Sequence, residues 1–411
     1  MTGMRADRDR VVAELAALVA VPSVTGHERT IQDEVAHRMA GDGLDVRRVE
    51  PPAEELMADP DFPGVEVEHG SFPVVAGHLG SSRPGPRILV VGHSDVVPPG
   101  EPASWTTPAF QPDVRDGRLY GRGACDMKGG LVSILEAMRL LRESGAVRRG
   151  EVVAVSVPAE EDGGAGSLAA IRAGYTGDFC VITEPTDLEV VVAHAGAITF
   201  TLDVPGKAAH ASMRREGVSA LSKLEYLIAA LEEDERLRNE AEVDPRMRAI
   251  GLPYPTIIGQ VEGGNWASTV MDRVVAHGRY GVTLGQDGVG AAADLRRAVT
   301  AAWEADEWLS RHPVGLEVWG ARFDSSGVPE GHPLAVGLAD SHRRVTAEPT
   351  ALVGVPYGAD MRLFINQGHT PTVMYGPGDV RVAHAADEFV PIDQVTTCAE
   401  VLATWIAGEL G

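Results

Sequence analysis

The sequence predicts an α/β protein: a mostly parallel sheet flanked by helices, with a smaller α+β domain inserted into it. Three observations carry this expectation. Short, continuous apolar runs at 88–91, 152–157 and 179–183 have the texture of strands buried on both faces, as a parallel sheet requires. Stretches with helical apolar spacing separate them, so strands and helices alternate. From about residue 197 the texture changes to a β-α-β-β-α-β order, that of a small open-faced sandwich.

In chain order, Val11, Val12, Leu15, Leu18 and Val19 form a helical stripe over residues 7–20, which Pro22 terminates. Ile31, Val35 and Met39 mark a second helix, ended by Gly41 and Gly43. The Pro- and acid-rich stretch 51–73 reads as a loop. After the strand at 88–91, Leu131, Ile134, Leu135 and Met138 place a helix over about 129–143, and the strands at 152–157 and 179–183 follow. Within the insertion, 199–204 alternates as a half-buried strand, a helix spans about 217–232, and charged residues fill 232–248. Strands follow at 256–261 and 273–284, then a helix over 290–306 and a strand at 314–319. Residues 351–355 and 371–374 return to the first sheet, and Val395, Cys398, Val401, Leu402 and Ile406 line a closing helix. The expected division is 1–196 with 320–411 for the main domain and 197–319 for the insertion.

Composition narrows the class. A chain of 411 residues, 44% hydrophobic, buries an ample core and is too apolar for disorder. No run of about 18 apolar residues exists, so no membrane partner is expected. With Lys+Arg 36 against Asp+Glu 59, the net charge is 36 − 59 = −23, the reverse of what a nucleic-acid binder needs. Cys125, Cys180 and Cys398 make no CxxC pair and no disulfide framework, and MTGMRADRDR is polar with no apolar segment behind it. A cytoplasmic protein is expected.

Ligands of α/β sheets bind beyond the carboxyl ends of the strands, and here those ends are polar. The run 88–91 empties into Gly92-His93-Ser94-Asp95, 152–157 into Pro158-Ala159-Glu160-Glu161-Asp162, and 179–183 into Glu184-Pro185-Thr186. Between the first two lies the glycine-rich 121–130 stretch with Cys125-Asp126-Met127-Lys128, which lacks the GxxxxGK[ST] phosphate loop because Gly129 follows Lys128. Each cluster alone is an ordinary solvated loop. Their coincidence at the ends of predicted core strands is what signals chemistry. Converging carboxylates raise one another's pKa unless a cation neutralises them, and oxygen donors with imidazole suit divalent zinc, cobalt or manganese. His384 offers a second imidazole, enough for two ions sharing one bridging carboxylate.

In this order, GHSDVVP, DGRLYGRGACDMKGG, PAEEDGG, TEPT, GKAAHAS and YGPG...AHAADEFVPI resemble one family over nearly the whole chain. It is the dinuclear metallohydrolase family of acetylornithine deacetylase, succinyl-diaminopimelate desuccinylase, aminoacylase and carboxypeptidase G. The resemblance implies a zinc-peptidase-like catalytic sheet with an inserted ferredoxin-like lid that forms a homodimer interface. It further implies that His93, Asp126 and Glu184 hold one divalent ion, and Asp126, Glu161 and His384 the other, with Asp126 bridging. Zinc is the expected metal, with cobalt and manganese as alternatives. Asp95, two residues beyond His93 on extended backbone, matches the carboxylate that holds the imidazole tautomer. Glu160 matches the general base, which takes a proton from water and passes it to the leaving amine. The Asp126–Met127 peptide is expected to be cis.

In the lid, His210 matches a histidine that acts in the partner's active site on the tetrahedral oxyanion. Arg279 matches an arginine that binds a substrate carboxylate, and Arg362 falls in a segment lining the substrate pocket. Two positions depart from the pattern. Met271 stands where proline is usual, and either Ser268 or Asn265 takes the place of the asparagine that contacts substrate. Cys125, beside Asp126, is expected to be a small buried thiol and not a ligand. The expected activity is removal of an N-acyl group from an amino acid or related amine. A metallo-dipeptidase or carboxypeptidase is the alternative, and a catalytically silent binding protein is a third. Silent relatives usually lose a ligand or the base, yet His93, Asp126, Glu160, Glu161, Glu184 and His384 are all present.

Overall fold

The computed structural model describes residues 4–411. They form two compact units. The larger holds the chain up to Val192, then Gly327–Val353 and Ala359–Gly411; the smaller holds Ala193–Ser326 and Gly354–Gly358.

The larger unit is built on a sheet running Asp45–Val49, Val74–Gly80, Glu151–Val157, Arg87–His93, Phe179–Ile182, Thr372–Met374, Val190–His194. Its four middle strands, from Glu151–Val157 to Thr372–Met374, are parallel to one another, and antiparallel strands flank them. Continuous burial explains the apolar runs. Ile88, Val90, Val152, Ala154 and Val181 share one core with the helices Arg8–Val19, Gly129–Ser144 and Ile392–Leu410. Leu89, Val91, Val153 and Val155 are just as buried on the opposite face, where the helix Ala165–Arg172 packs. Both faces are thus dry, and only the strand ends can carry polar groups.

Several elements depart from the sequence expectation. Strand Val74–Gly80 was hidden by Gly77 and His78, which interrupt its apolar pattern; a Cβ on Gly77 would lie 2.9 Å from the side chains of Leu44 and Met39, so glycine lets a helix cross closely. The expected loop 51–73 contains a short helix, Ala53–Met57. Helix Pro333–Thr346 escaped notice because Ser341 and His342 occupy part of its buried stripe.

The smaller unit has a four-stranded antiparallel sheet in the order Thr256–Gly263, Arg273–Val282, Gly196–Pro205, Gly315–Phe323. Helices Ala220–Glu240 and Gly288–Ala305 cover one face through Leu224, Leu227, Leu231, Leu295 and Val299, which meet Phe200 and Leu202. This is the β-α-β-β-α-β sandwich. The first helix runs to Glu240 rather than 232. Ion pairs at helical spacing (Arg236 with Glu233 and Glu240, both 2.6 Å; Arg238 with Asp234, 2.8 Å) keep the charged stretch helical. The unit also extends past the expected limits of 197 and 319. Gly315–Phe323 bulges after Trp319 and resumes pairing as far as Phe323 opposite Ala197, and the Ala195 N–H donates to the Val355 carbonyl at 2.9 Å.

Candidate metal centre

His93 is the last residue of its strand, Glu160 and Glu161 follow Glu151–Val157, and Glu184 lies two residues beyond Phe179–Ile182. Because these strands are parallel neighbours, their three loops meet at one edge. The His93 Nδ1 lies 3.0 Å from the Asp95 carbonyl oxygen and 3.5 Å from its carboxylate. That leaves Nε2 facing Asp126 Oδ1 at 3.0 Å and Glu184 Oε2 at 3.9 Å. The second Asp126 oxygen is 3.4 Å from His384 Nε2, which is 3.0 Å from Glu161 Oε2. One carboxylate therefore stands between two imidazoles, each with a further glutamate beside it. Donor atoms of His93, Asp126 and Glu161 all lie within 4.8 Å of one another.

The electrostatics fit a cation. Burial pushes the Glu184 carboxyl up to about 8 and that of Glu161 up to about 7, with the Asp126 charge adding to both. Hydrogen bonds to Asp126 and Glu161 raise the His384 imidazole to about 10. Burial resists ionisation of Asp126, but its contacts with His384 and His93 outweigh this and hold it below the usual range. Two further atoms agree with this: Glu161 Oε1 and Glu184 Oε1, like Asp162 Oδ1 and Asp360 Oδ1, are buried without a hydrogen-bond partner among the described residues. Buried polar atoms seldom go unpaired, so imidazole nitrogens and carboxylate oxygens converging with two orphaned oxygens match the donor set of divalent zinc, cobalt or manganese.

Asp95 organises this edge. Fully buried, it accepts the backbone N–H groups of Glu160 and Glu161, both at 3.1 Å, and the Thr25 hydroxyl at 3.2 Å. Glu184 depends on close packing. A Cβ on Gly130 would lie 2.1 Å from the Thr183 carbonyl oxygen, and one on Gly376 would lie 2.4 Å from the carbonyls of Thr183 and Glu184. The Glu160 side chain has no hydrogen bond or ion pair among the described residues, and burial with nearby Asp360 and Glu184 raises its pKa well above the ordinary value. The Asp126–Met127 peptide is cis. Cys125 is a buried thiol that donates to the Asp379 carbonyl at 3.4 Å, and burial pushes its pKa far up.

Arg362 is 1% exposed, and its guanidinium donates to the carbonyls of Gly163 at 2.7 Å and Ala359 at 2.9 Å. These bonds brace the loop after Glu160 and Glu161. Asp360, which carried no sequence signal of its own, is a buried carboxylate beside Glu160 that accepts the Ser167 hydroxyl at 2.5 Å. Thr25 gave no sequence signal at all.

In the smaller unit, His210 is exposed. Its Nδ1 engages the Ser212 hydroxyl at 2.8 Å and backbone N–H at 3.2 Å, which leaves Nε2 free. Asn265 and Ser268 are exposed, and the Ser268 carbonyl accepts the Ala211 N–H at 2.9 Å, tying that segment to the His210 loop. Arg279 is partly buried, donates to the Pro356 carbonyl at 3.3 Å, and has no carboxylate partner among the described residues; burial lowers its pKa.

A parallel sheet with imidazoles and acids converging at its strand ends defines a metal-dependent hydrolase of the α/β class. The particular family follows from comparison: residues 89–408 match the model of peptidase family M20/M25/M40, and the chain belongs to that family. It is 29% identical to N-formyl-4-amino-5-aminomethyl-2-methylpyrimidine deformylase of Bacillus subtilis, covering 78% of each chain. It is 30% identical to acetylornithine deacetylase of Yersinia pseudotuberculosis, covering 77% of each. The solved structure of a tripeptidase from Staphylococcus aureus superposes with a TM-score of 0.76 over 99% of both chains at 21% identity, a likeness of fold.

Proposed function

We propose that the chain is a two-metal amidohydrolase that removes an N-acyl group from an amino acid or related amine. As a member of its family it is a hydrolase of amide bonds. The observation that carries the finer reading is Asp126 set between His93 and His384, with Glu160 beside them and uncommitted. His93, Asp126 and Glu184 would hold one ion and Asp126, Glu161 and His384 the other; zinc fits this donor set, and cobalt or manganese would serve. Such ions supply Lewis-acid polarisation of the amide carbonyl and lower the pKa of water. The chain's own part is proton handling: the Glu160 carboxylate takes a proton from the attacking water and delivers it to the amine nitrogen as the C–N bond breaks. Asp95 keeps the His93 imidazole and the Glu160 backbone in place for this. The names of the two sequence relatives, a deformylase and a deacetylase, share removal of a short acyl group, which favours deacylation over peptide cleavage.

The same reading makes the protein a cytoplasmic homodimer through the smaller unit, with His210 of one protomer stabilising the oxyanion in its partner's site. Arg279 would bind a substrate carboxylate, and Asn265 or Ser268 the substrate backbone. The test is to assay formyl-, acetyl- and succinyl-amino acids against dipeptides in the presence of zinc, cobalt or manganese. Hydrolysis of dipeptides alone would refute deacylation. Sedimentation should give a dimer, and His210→Ala should lose turnover while keeping its metal; full turnover would remove His210 from the site.

A further inference from the structure

We infer that Glu388, paired with Arg122, is a positioning residue that sets the spacing between Asp126 and His384 and so governs the half of the centre formed by Asp126, Glu161 and His384. The inference rests on the two-metal reading above. Glu388 is 1% exposed, and its carboxylate has three partners. Oε1 accepts the backbone N–H of Cys125 at 2.9 Å and of Asp126 at 3.1 Å, while Oε2 takes the Arg122 guanidinium at 2.5 Å. Its backbone carbonyl accepts a further N–H, that of Gly121, at 2.9 Å. The segment that ends in Asp126 therefore hangs from one residue at three backbone points and one side chain.

That residue lies four positions after His384, in a loop that is also tied to the chain by Asp387 and by Phe389–Pro391. His384 and Asp387 are non-glycine residues in the left-handed region, at φ 59 and φ 55. Asp387 accepts the Thr106 N–H at 2.9 Å and its hydroxyl at 2.6 Å, and Phe389–Pro391 pairs with Arg118–Tyr120. Glu388 is the link that is both buried and bonded to the Asp126 backbone. It acts on two of the three ligands on the His384 side, but on only one of those on the His93 side. His93 and Glu184 sit instead on the strand ends held by Asp95 and by the packing of Gly130 and Gly376.

A carboxylate is needed in this place for a physical reason. The Arg122 guanidinium is itself 2% exposed, and besides Glu388 it reaches the neutral Pro98 carbonyl at 3.4 Å and Trp105 ring at 5.3 Å. Two backbone donors and a buried cation require a charged acceptor with two oxygens. Glutamine keeps the shape but offers one oxygen and turns an NH2 group toward either the arginine or the amides.

The test is calorimetric titration of zinc alone into the chelator-stripped full-length protein, with cobalt absorbance as a second reading of ligand geometry. Wild type is expected to take up two equivalents. Glu388→Gln should keep one equivalent at wild-type affinity and weaken the other tenfold or more, with an altered cobalt spectrum on that step. The double variant Glu388→Gln/Arg122→Met removes the unpaired arginine; it should regain thermal stability without regaining the second equivalent. Two equivalents at wild-type affinity in Glu388→Gln, equal weakening of both, or recovery of the second in the double variant would each overturn the inference. Uptake of fewer than two equivalents by wild type would instead refute the two-metal reading. Should Glu388→Gln fail to fold, the double variant decides alone.

Discussion

Asp95 offers the sharpest test of how the centre is held. It is fully buried, and its two oxygens take the N–H groups of Glu160 and Glu161 and the Thr25 hydroxyl, with the His93 ring 3.5 Å away. Asp95→Asn keeps size and shape but leaves one oxygen for two backbone donors. One N–H is then orphaned, at a cost of about 1–3 kcal/mol. Asp95→Ala removes both oxygens and orphans both donors, so about 2–6 kcal/mol follows from the same figure doubled. Metal affinity should respond too, since loss of a partner that orients a ligand typically weakens binding by about 10–100-fold. Urea unfolding of chelated protein measures the first effect, and zinc competition titration the second. The expected order in both is wild type, Asn, Ala. An Asn variant with wild-type midpoint and wild-type zinc affinity would refute the claim that Asp95 organises this edge.

Glu160→Gln should keep its metal content, because the Glu160 side chain touches no other donor, and should lose about 10²–10⁴-fold in kcat; retained turnover with retained metal would move the base elsewhere. Chelation should abolish turnover and lower the unfolding midpoint, since ligands that bind only the folded chain stabilise it by about 4 kcal/mol at 1,000 times their Kd. Zinc, cobalt or manganese should restore both, and a midpoint indifferent to chelator would count against a metal at this edge. Gly130→Ala should cost about 1–3 kcal/mol or more, because its methyl would meet a backbone carbonyl oxygen at 2.1 Å. Gly41→Ala, whose Cβ meets nothing within 4 Å, is the control and should shift stability by less than about 1 kcal/mol. Equal effects of the two substitutions would show that the close approach at Glu184 is not limiting.

Legibility of the fold tracked how many faces of an element are covered. Strands Arg87–His93 and Glu151–Val157 are dry on both sides, so every residue from 88 to 91 and from 152 to 155 had to be apolar and the runs stood out. Val74–Gly80 lies in the same sheet but accommodates a helix through Gly77, and that single compromise erased its pattern. The end of helix Ala220–Glu240 was misplaced for the opposite reason. Its last turns are held by ion pairs between exposed or partly buried side chains, and charge without an apolar stripe reads as loop until the spacing of Glu233, Asp234, Arg236, Arg238 and Glu240 is considered.

Within the centre the same distinction falls on the acids. Glu161 and Glu184 were legible because they follow predicted core strands, and Asp126 because it sits in the glycine-rich stretch between two of them. Asp95, Asp360 and Glu388 are equally buried, but their partners are backbone amides, a hydroxyl or an arginine far away in the chain: Glu388 meets Cys125 across 263 positions and Asp360 meets Ser167 across 193. An acid with such a duty looks, in sequence, like any solvated acid. Asp95 appeared at a strand end but took its role only from the resemblance, and nothing singled out the other two. The distinction also gives the net charge of −23 a local meaning. Asp95 and Glu388 are neutralised by donors the chain itself supplies. Asp126 faces two imidazoles, whereas Glu161 and Glu184 each retain an oxygen that no protein group satisfies. Folding those two oxygens into a dry edge is unfavourable unless a cation takes them, which is the physical support for proposing that the metal binds between them.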